Sequence, residues 1–511
     1  SDRIKMSQVE KQRSTIEQFF SGGRVFLTGA TGFMGKLTLE KLLRSCEGLE
    51  KIYVLVRVKK QKDVEDRLEE LFQSVVFDRL KMEQPDFKEK VVLIPGDCVQ
   101  PDLGLNLEDK AMLMEKVNCI FHFAATVRFD QKIRTAAYIN VRATRDLLRM
   151  ANRMFNLKSF VYMSTAYSYC VQRDIGEEFY KPPITGENLL KLVDSCSDDF
   201  LDKITPTLLG DWPNTYAFSK AIAEDVVLNE SGGLPLAIVR PSIVIPTAKE
   251  PIEGFIDNYY GLTGLLLASA VGLIHVWYAK SDALSDIVPA DYAINNAIAA
   301  AWSVGVEEPE NNVAMGDCRK PPIFNYVSTR ENPLTPREIM RYGETHFAKY
   351  PMKNMLCFYF LTLTSNYYLY ITLKLLFHYI PAYIVDFVAR LIGKKPFLVD
   401  GYSKIGKFMS ATEYFSINQW KFSNDNTQAL YRSMSESDKK KFCFDMGTID
   451  WNAFFDIYAR GVRVYLAKDP METLPEAKRW LRKLQVMYHI VICTFWIGLL
   501  WTGYSLVKFV F

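Results

Sequence analysis

The chain has 511 residues, 49% of them hydrophobic, 13% aromatic and 24% charged, which excludes a disordered chain, a collagen-like repeat and a membrane protein of many spans. Its 62 Lys and Arg against 59 Asp and Glu leave a formal charge of +3, too weak a basic field for a nucleic-acid backbone to be the main partner. At about 150 residues per domain this length predicts two to four domains, or one large α/β unit with additions.

Nine cysteines, an odd number with no C-x-x-C pair, fit neither a disulfide scaffold nor a zinc ribbon and point to a reducing compartment. Residues 1–20 form a polar extension without the apolar stretch of a secretory signal, so the N-terminal part is expected in the cytosol.

Residues 24–170 alternate short apolar runs with longer amphipathic stretches, the βαβ pattern of a parallel sheet. The pattern predicts strands at 25–28, 52–57, 91–95, 119–124, 160–165 and 236–240, with intervening helices that include 33–45 and 132–154. The first strand runs into Thr28-Gly29-Ala30-Thr31-Gly32-Phe33-Met34-Gly35, a T-G-x-x-G-x-x-G loop that opens a helix. Glycine is required where the backbone turns sharply and approaches a pyrophosphate, and the N–H groups of the helix N-terminus point at the anion. Thr28, Gly29, Thr31, Gly32, Phe33, Met34 and Gly35 are therefore candidate dinucleotide-binding residues. The fold class is α/β, a Rossmann-type doubly wound parallel sheet.

The second strand ends in Arg57, where an NAD site would carry Asp or Glu for the ribose 2′-hydroxyl. Arginine cannot accept that proton, but it can pair with a 2′-phosphate through a charge-assisted fork, so NADPH is the inferred cofactor. The plainer alternative has Arg57 solvating the strand end. Asp97 after the third strand and Ala124-Ala125 after the fourth are placed to contact the adenosine half, although an aspartate at a strand end also serves as a turn residue. Asn140, early in the following helix, is a candidate for organising the cofactor side of the site. His122, inside an apolar strand, reads as a core histidine, and no histidine falls in a metal motif.

The fifth strand delivers Ser164 and Thr165 to the C-terminal edge of the sheet, where ligands bind in such folds. A hydroxyl there can donate to a substrate carbonyl oxygen and stabilise the charge that develops as hydride arrives, with Thr165 preferred to Ser164. Residues 172–212, acidic and without a clear period, are expected to arch over the site as a lid. On the next helix Tyr216 and Lys220 share one face. An ammonium beside a phenol favours the tyrosinate, which lets a group of reference pKa about 10 act as an acid–base near neutrality. The same Y-x-x-x-K spacing recurs at Tyr370–Lys374 and Tyr504–Lys508, in apolar stretches with no glycine loop, so spacing alone does not make a site. Arg240, Pro241 and Ser242, after the sixth strand, are candidates for lining the nicotinamide pocket.

Residues 351–395 are rich in aromatics, and 354–373 is an uncharged run expected as an interfacial helix or the wall of an acyl channel, with a membrane crossing as the alternative. Residues 396–475 read as a small, mostly helical domain. Residues 486–507 contain no Lys, Arg, Asp or Glu and would span about 33 Å as a helix at about 1.5 Å per residue. Lys478, Arg479, Arg482 and Lys483 precede that run, so a single C-terminal anchor is expected with the bulk of the chain in the cytosol; a buried C-terminal helix is the alternative. The final residues carry neither an S-K-L nor a K-D-E-L signal, which leaves peroxisome and endoplasmic reticulum both open.

The segments GATGFMGK, FHFAATVRF, STAYSYC, PNTYAFSKAIAE and IVRPSIV, with a second domain and a hydrophobic tail, together resemble the alcohol-forming fatty acyl-CoA reductases of the extended short-chain dehydrogenase/reductase superfamily. The resemblance runs from about residue 23 to the anchor. It implies reduction of a long-chain acyl-CoA by two NADPH to a primary alcohol, with release of CoA through an aldehyde. It also implies a triad of Thr165, or Ser164, with Tyr216 and Lys220, in which Lys220 also holds the nicotinamide ribose. Residues 21–350 would be the reductase domain and 396–475 the family's C-terminal domain. No cysteine is required as a nucleophile, and Cys170 is expected to pack. Competing readings are an aldehyde-forming reductase, a sterol or nucleotide-sugar dehydrogenase with the same loop and triad, and a non-catalytic NADP-binding scaffold on a membrane.

Overall fold

The computed structural model describes residues 14–57, 64–306 and 320–510; residues 1–13 of the polar extension and Cys318 lie outside them. Seven parallel strands make the main sheet: β1 (Arg24–Thr28), β2 (Lys51–Val56), β3 (Val91–Pro95), β4 (Cys119–His122), β5 (Ser159–Met163), β6 (Leu236–Pro241) and β7 (Ile323–Tyr326). Their order is β7-β6-β5-β4-β1-β2-β3, so the winding reverses between β1 and β4, where open α/β sheets bind ligands. The strands read as unbroken apolar runs because helices cover both faces: Val25, Phe26, Leu27, Ile52 and Val54 are fully buried.

Three strands end earlier than the sequence predicts, β2 at Val56, β4 at His122 and β5 at Met163. Ala124-Ala125 and Ser164-Thr165 therefore lie on the loops leaving the sheet, at the ligand-binding edge. The backbone beyond β5 is still pinned, since the Ser164 amide donates to the Val239 carbonyl at 2.8 Å and that of Ala166 to Pro241 at 3.0 Å.

Helix α1 (Phe33–Ser45) starts where the glycine loop ends, as expected. Its C-terminal half carries buried charges: Arg44 pairs with Glu40 at 2.6 Å and with Glu250 at 3.0 Å, and Lys41 also pairs with Glu250. The helix predicted at 132–154 is interrupted by a π turn at Ala137–Arg142, between Ile133–Ala136 and Ala143–Ala151. Such turns concentrate at functional positions, and Asn140 stands in this one.

The expectation of a periodless arch over 172–212 is corrected. Gly186–Ser195 and Asp198–Leu209 are helices, N-capped by the Thr185 and Ser197 side chains. Leu189, Leu190, Val193 and Leu201 join the core that includes Phe160 and Phe218. The apolar positions that define this face are few, and the acidic composition around them hid the helical period.

The chain divides into two compact units that are discontinuous in sequence, unlike the linear division expected at 350 and 396. The first contains the described residues up to Glu253 with Leu284–Pro333 and Gln419–Ile449. Part of the stretch read as a separate helical domain thus belongs to the sheet unit. Lys421–Phe422 pairs with Asp174–Ile175, the Trp420 indole donates to the Cys170 carbonyl at 2.9 Å, and buried Asp438 accepts from the Ser14 and Thr15 hydroxyls.

The second unit, Gly254–Ala283, Leu334–Asn418 and Asp450–Phe511, is mostly helical. The Gly254 backbone lies so close to Gly461 that a Cβ at 461 would stand 1.9 Å from the Gly254 carbonyl oxygen. The uncharged run 354–373 is not one helix. It includes the short strand Thr362–Thr364, and the apolar helix begins at Tyr367 under an Asn366 cap. Among the described residues, two helical stretches, Tyr367–Leu391 and Met471–Thr502, are long and apolar enough to cross a membrane. The second combines the 3-10 turn Met471–Thr473 with most of α2 (Leu474–Val510), which starts well before the expected anchor.

Candidate active site

The glycine loop has the geometry its sequence implied. Gly29 has φ +78°, and a Cβ on it would stand 2.7 Å from the Ala124 amide nitrogen. A Cβ at Gly35 would stand 2.1 Å from the Gly29 carbonyl oxygen, so helix and loop touch without side chains between them. The Gly32 amide donates to the Gly29 carbonyl at 2.9 Å, and Gly32, as N-cap, offers no side chain to the first turn of α1. Thr31 and Gly32 are exposed, and Phe33 and Met34 are half-buried. An open turn beneath an uncapped helix end fits a pyrophosphate.

Thr28 is corrected from cofactor contact to strut. Its hydroxyl is buried, bonded to His122 Nδ1 at 2.7 Å and accepting the Ala124 amide at 3.2 Å. His122 Nε2 meets the Thr144 hydroxyl at 3.1 Å. Burial, with the nearby Lys220 charge, pushes His122 down to about 3, so it is a neutral core imidazole.

Arg57 leaves the end of β2 with its guanidinium half exposed and pairs with Asp97 at 3.0 Å. Asp97 also accepts the Val99 amide at 3.0 Å, so the residue expected near the adenosine half is at present the counter-ion of the residue expected at the 2′-phosphate. Asn140 organises the site indirectly. Its amide donates to the Thr126 carbonyl at 3.2 Å and the Ser219 hydroxyl at 2.9 Å, and its oxygen accepts the Thr126 amide at 2.9 Å. It thereby ties the Ala124-Ala125 loop to the helix Thr215–Glu230.

That helix carries Tyr216 and Lys220 and is N-capped by Asn214, whose side-chain oxygen accepts the Ala217 amide at 2.9 Å. Tyr216 stacks on Phe129 at 6.0 Å between centroids, and the Thr165 side chain lies near enough to its phenol to pull the pKa down. Burial pushes Tyr216 up to about 12, a shift that the nearby Thr165 hydroxyl reduces. The phenol is therefore protonated at neutral pH, contrary to the expected shift toward tyrosinate. Lys220 is buried, its Nζ donating to the Met163 carbonyl at 2.6 Å and to the Tyr162 hydroxyl at 3.3 Å. Burial pushes Lys220 down to about 7, opposed by the Glu224 charge.

Thr165 and Ser164 separate clearly. Thr165 reaches Tyr216, whereas the Ser164 hydroxyl donates to Glu224 at 2.5 Å. Ser164 is corrected from alternative donor to buried support. Arg240 is corrected as well: fully buried, it pairs with Glu224 at 2.6 Å and donates to the Gly176 and Glu178 carbonyls, so its side chain is not a pocket wall. The Pro241 carbonyl holds the Ala166 amide, while the Ser242 hydroxyl, buried at the same edge, has no hydrogen-bond partner among the described residues. A free polar atom there fits a polar ligand such as a carboxamide. Cys170 is buried, its thiol pushed up to about 12 by desolvation. The reading from residues missed Glu224 and Tyr162. Glu224 could have been found from its place four residues after Lys220, inside a segment already singled out.

A family profile described as male sterility protein matches residues 27–297, an NAD-binding domain, and a second profile of the same description matches 377–469. A Drosophila melanogaster fatty acyl-CoA reductase is 37% identical over 507 residues, covering 99% of this chain and 96% of its own. Mus musculus fatty acyl-CoA reductase 1 is 39% identical over 471 residues, 92% of this chain and 90% of its own. Among solved structures, the terminal R domain of the myxalamid biosynthetic pathway shares the fold at TM-score 0.57 and 18% identity, covering 88% of this chain and 92% of its own. A Mycobacterium tuberculosis nonribosomal peptide synthetase reductase domain does so at 0.55 and 18%, covering 88% and 95%. With a nicotinamide-dinucleotide-binding sheet and relatives aligned over nearly its full length, the chain belongs to the fatty acyl-CoA reductase family.

Proposed function

We propose that this chain reduces long-chain fatty acyl-CoA to a primary alcohol with NADPH, releasing CoA through an aldehyde, while α2 anchors it in a peroxisomal or endoplasmic reticulum membrane with the sheet unit in the cytosol. The observation that carries the reading is the convergence of Thr165, Tyr216 and Lys220 at the sheet edge that also carries the glycine loop. When bound, NADPH supplies the hydride. Tyr216, protonated at neutral pH, donates to the oxygen of the thioester carbonyl as charge develops there, with the Thr165 hydroxyl beside it. Lys220, held one helical turn away by the Met163 carbonyl, supplies positive charge when Tyr216 has given up its proton. The hemithioacetal collapses by breaking its C–S bond, CoA leaves as the thiol and an aldehyde remains. In the second round Tyr216 protonates the alkoxide formed from that aldehyde. The balance is one acyl-CoA, two NADPH and two protons in, and one alcohol, one CoA and two NADP⁺ out.

The exposed Arg57 guanidinium favours NADPH over NADH, because a 2′-phosphate can take the place of Asp97 in a bidentate pair. The anchor is supported by the apolar Met471–Thr502 stretch, in which Lys478, Arg479, Arg482 and Lys483 precede the uncharged run that begins at Val486. The test is product analysis by mass after incubating the membrane-bound protein with mixed acyl-CoAs and NADPH, with NADPH oxidised and CoA released counted together. A ratio near two supports the alcohol, a ratio near one replaces it by the aldehyde, and no turnover of any acyl-CoA sinks the reading. Truncation after Leu484 should release the protein from membranes; retention would shift the anchor to Tyr367–Leu391.

A further inference from the structure

Behind the triad lies a fully buried ion pair that the chemistry above does not use. Glu224 and Arg240 are both 0% exposed. A buried pair of this kind is weak evidence for stability, since desolvation offsets most of the attraction, so its placement matters more than its strength. One oxygen of Glu224 accepts from the Ser164 hydroxyl at 2.5 Å, the Ser168 hydroxyl at 3.1 Å and Arg240 Nε at 2.9 Å, and the other accepts from the Arg240 fork at 2.6 Å. Ser164 and Ser168 bracket Thr165, the residue whose hydroxyl meets Tyr216. Glu224 itself lies one turn beyond Lys220 and two turns beyond Tyr216 on the same helix.

We infer that Glu224 is the positioning residue of this site: its carboxylate clamps the 164–168 turn onto the helix of Tyr216 and Lys220, and its charge keeps the Lys220 ammonium protonated. The inference rests on the proposed roles of Thr165, Tyr216 and Lys220. Among the described residues, the groups facing Lys220 are Glu224 from its own helix, where Tyr216 stands one turn back, Tyr162 from β5 and His122 from β4. Those facing Glu224 are Arg240 from β6, with Tyr162 and Tyr169. His122 is neutral and the three tyrosines are protonated near neutrality, all held so by burial. Among the described residues Glu224 is thus the anion facing Lys220, and Arg240 keeps it in place. In agreement, burial pushes Lys220 down and Glu224 pulls it back up.

The test uses the full chain in membranes. Glu224→Gln keeps the volume and an acceptor but removes the charge. It should lower kcat at least about tenfold with little change in KM for acyl-CoA, and move the alkaline limb of the pH profile about one unit lower. Glu224→Asp, which keeps the charge on a shorter arm, should return that limb to its wild-type pH while kcat stays low. Competitive lysine labelling read by peptide mass spectrometry follows Lys220 without turnover, and its titration should shift down in Glu224→Gln and not in Glu224→Asp. That shift in a protein that reduces no acyl-CoA would uphold the positioning role and discard the proposed function. A Glu224→Gln protein that melts earlier but keeps the wild-type pH profile, kcat and Lys220 titration would overturn the inference. Should Glu224→Gln fail to fold, Glu224→Gln/Arg240→Gln removes both buried charges; an unmoved Lys220 titration there overturns the inference equally.

Discussion

Tyr216–Lys220 and Tyr370–Lys374 share one spacing and one helix-face geometry, and in each region the ammonium lies over a tyrosine ring, that of Tyr162 at 4.7 Å and that of Tyr370 at 5.3 Å. Their surroundings differ. Tyr216 and Lys220 sit on a helix packed against the sheet, where Met163 and Tyr162 fix the ammonium and Thr165 meets the phenol. Tyr370 instead donates to Glu413 at 2.9 Å, stacks on Tyr278 and is flanked by the exposed side chains of Tyr368, Ile371 and Leu375. The first pair stands at a ligand-binding sheet edge, and the second braces one face of an apolar helix. An i,i+4 pair becomes chemistry when the fold supplies an open edge, a second hydroxyl and a cofactor loop around it.

Substitution at the two tyrosines tests that contrast most directly. Tyr216→Phe should lower turnover by about 10² to 10⁴-fold, the usual weight of a general acid, while NADPH binding followed by fluorescence stays within a small factor. Retained activity would remove the first pair's claim to chemistry and make the two regions equivalent. Arg57→Ala probes the cofactor side that the second region lacks. Losing a charge-assisted fork should reduce the preference for NADPH over NADH roughly 10- to 100-fold in kcat/KM, and an unchanged ratio would show that Arg57 only solvates the strand end.

The pH profile sharpens the comparison at Lys220. Burial lowers its pKa to about 7, so the ammonium is present below that pH and is lost as pH rises through it. kcat/KM for NADPH, which reports the free enzyme, should therefore fall about tenfold per unit above pH 7. A profile flat to pH 9 would mean that Lys220 stays charged or is not needed. The smallest effect belongs to the second pair. Tyr370→Phe should leave turnover at the wild-type level and cost about 1 kcal/mol of stability through the lost Glu413 bond, read as a modest fall in Tm.

Much of this site could be read from local rules. The glycine loop was legible because a backbone that touches its neighbour at Gly29 and Gly35 leaves no room for a Cβ, and only glycine satisfies that requirement. Strand positions followed from apolar runs buried on both faces. Arg240 was misplaced because a charged residue near a strand end normally seeks solvent, whereas β6 runs through it, and its buried partner Glu224 is 16 residues earlier on a different element. The helices at 186–209 were missed because their buried face rests on only a few leucines and a valine among acidic residues. Likewise, 419–449 was assigned to a separate helical domain because nothing local records that Asp438 accepts hydrogen bonds from residues more than 400 positions away.

By itself, the sequence determined the parallel sheet, the dinucleotide loop, the Tyr216–Lys220 face and the apolar C-terminal stretch, all of which depend on periodicity or on the steric needs of single residues. Tertiary structure alone decided which of Ser164 and Thr165 meets Tyr216, that the phenol keeps its proton, and that Arg240 serves Glu224 instead of a ligand. Those outcomes depend on burial and on hydrogen bonds between residues distant in the chain, and desolvation has no signature in a linear pattern.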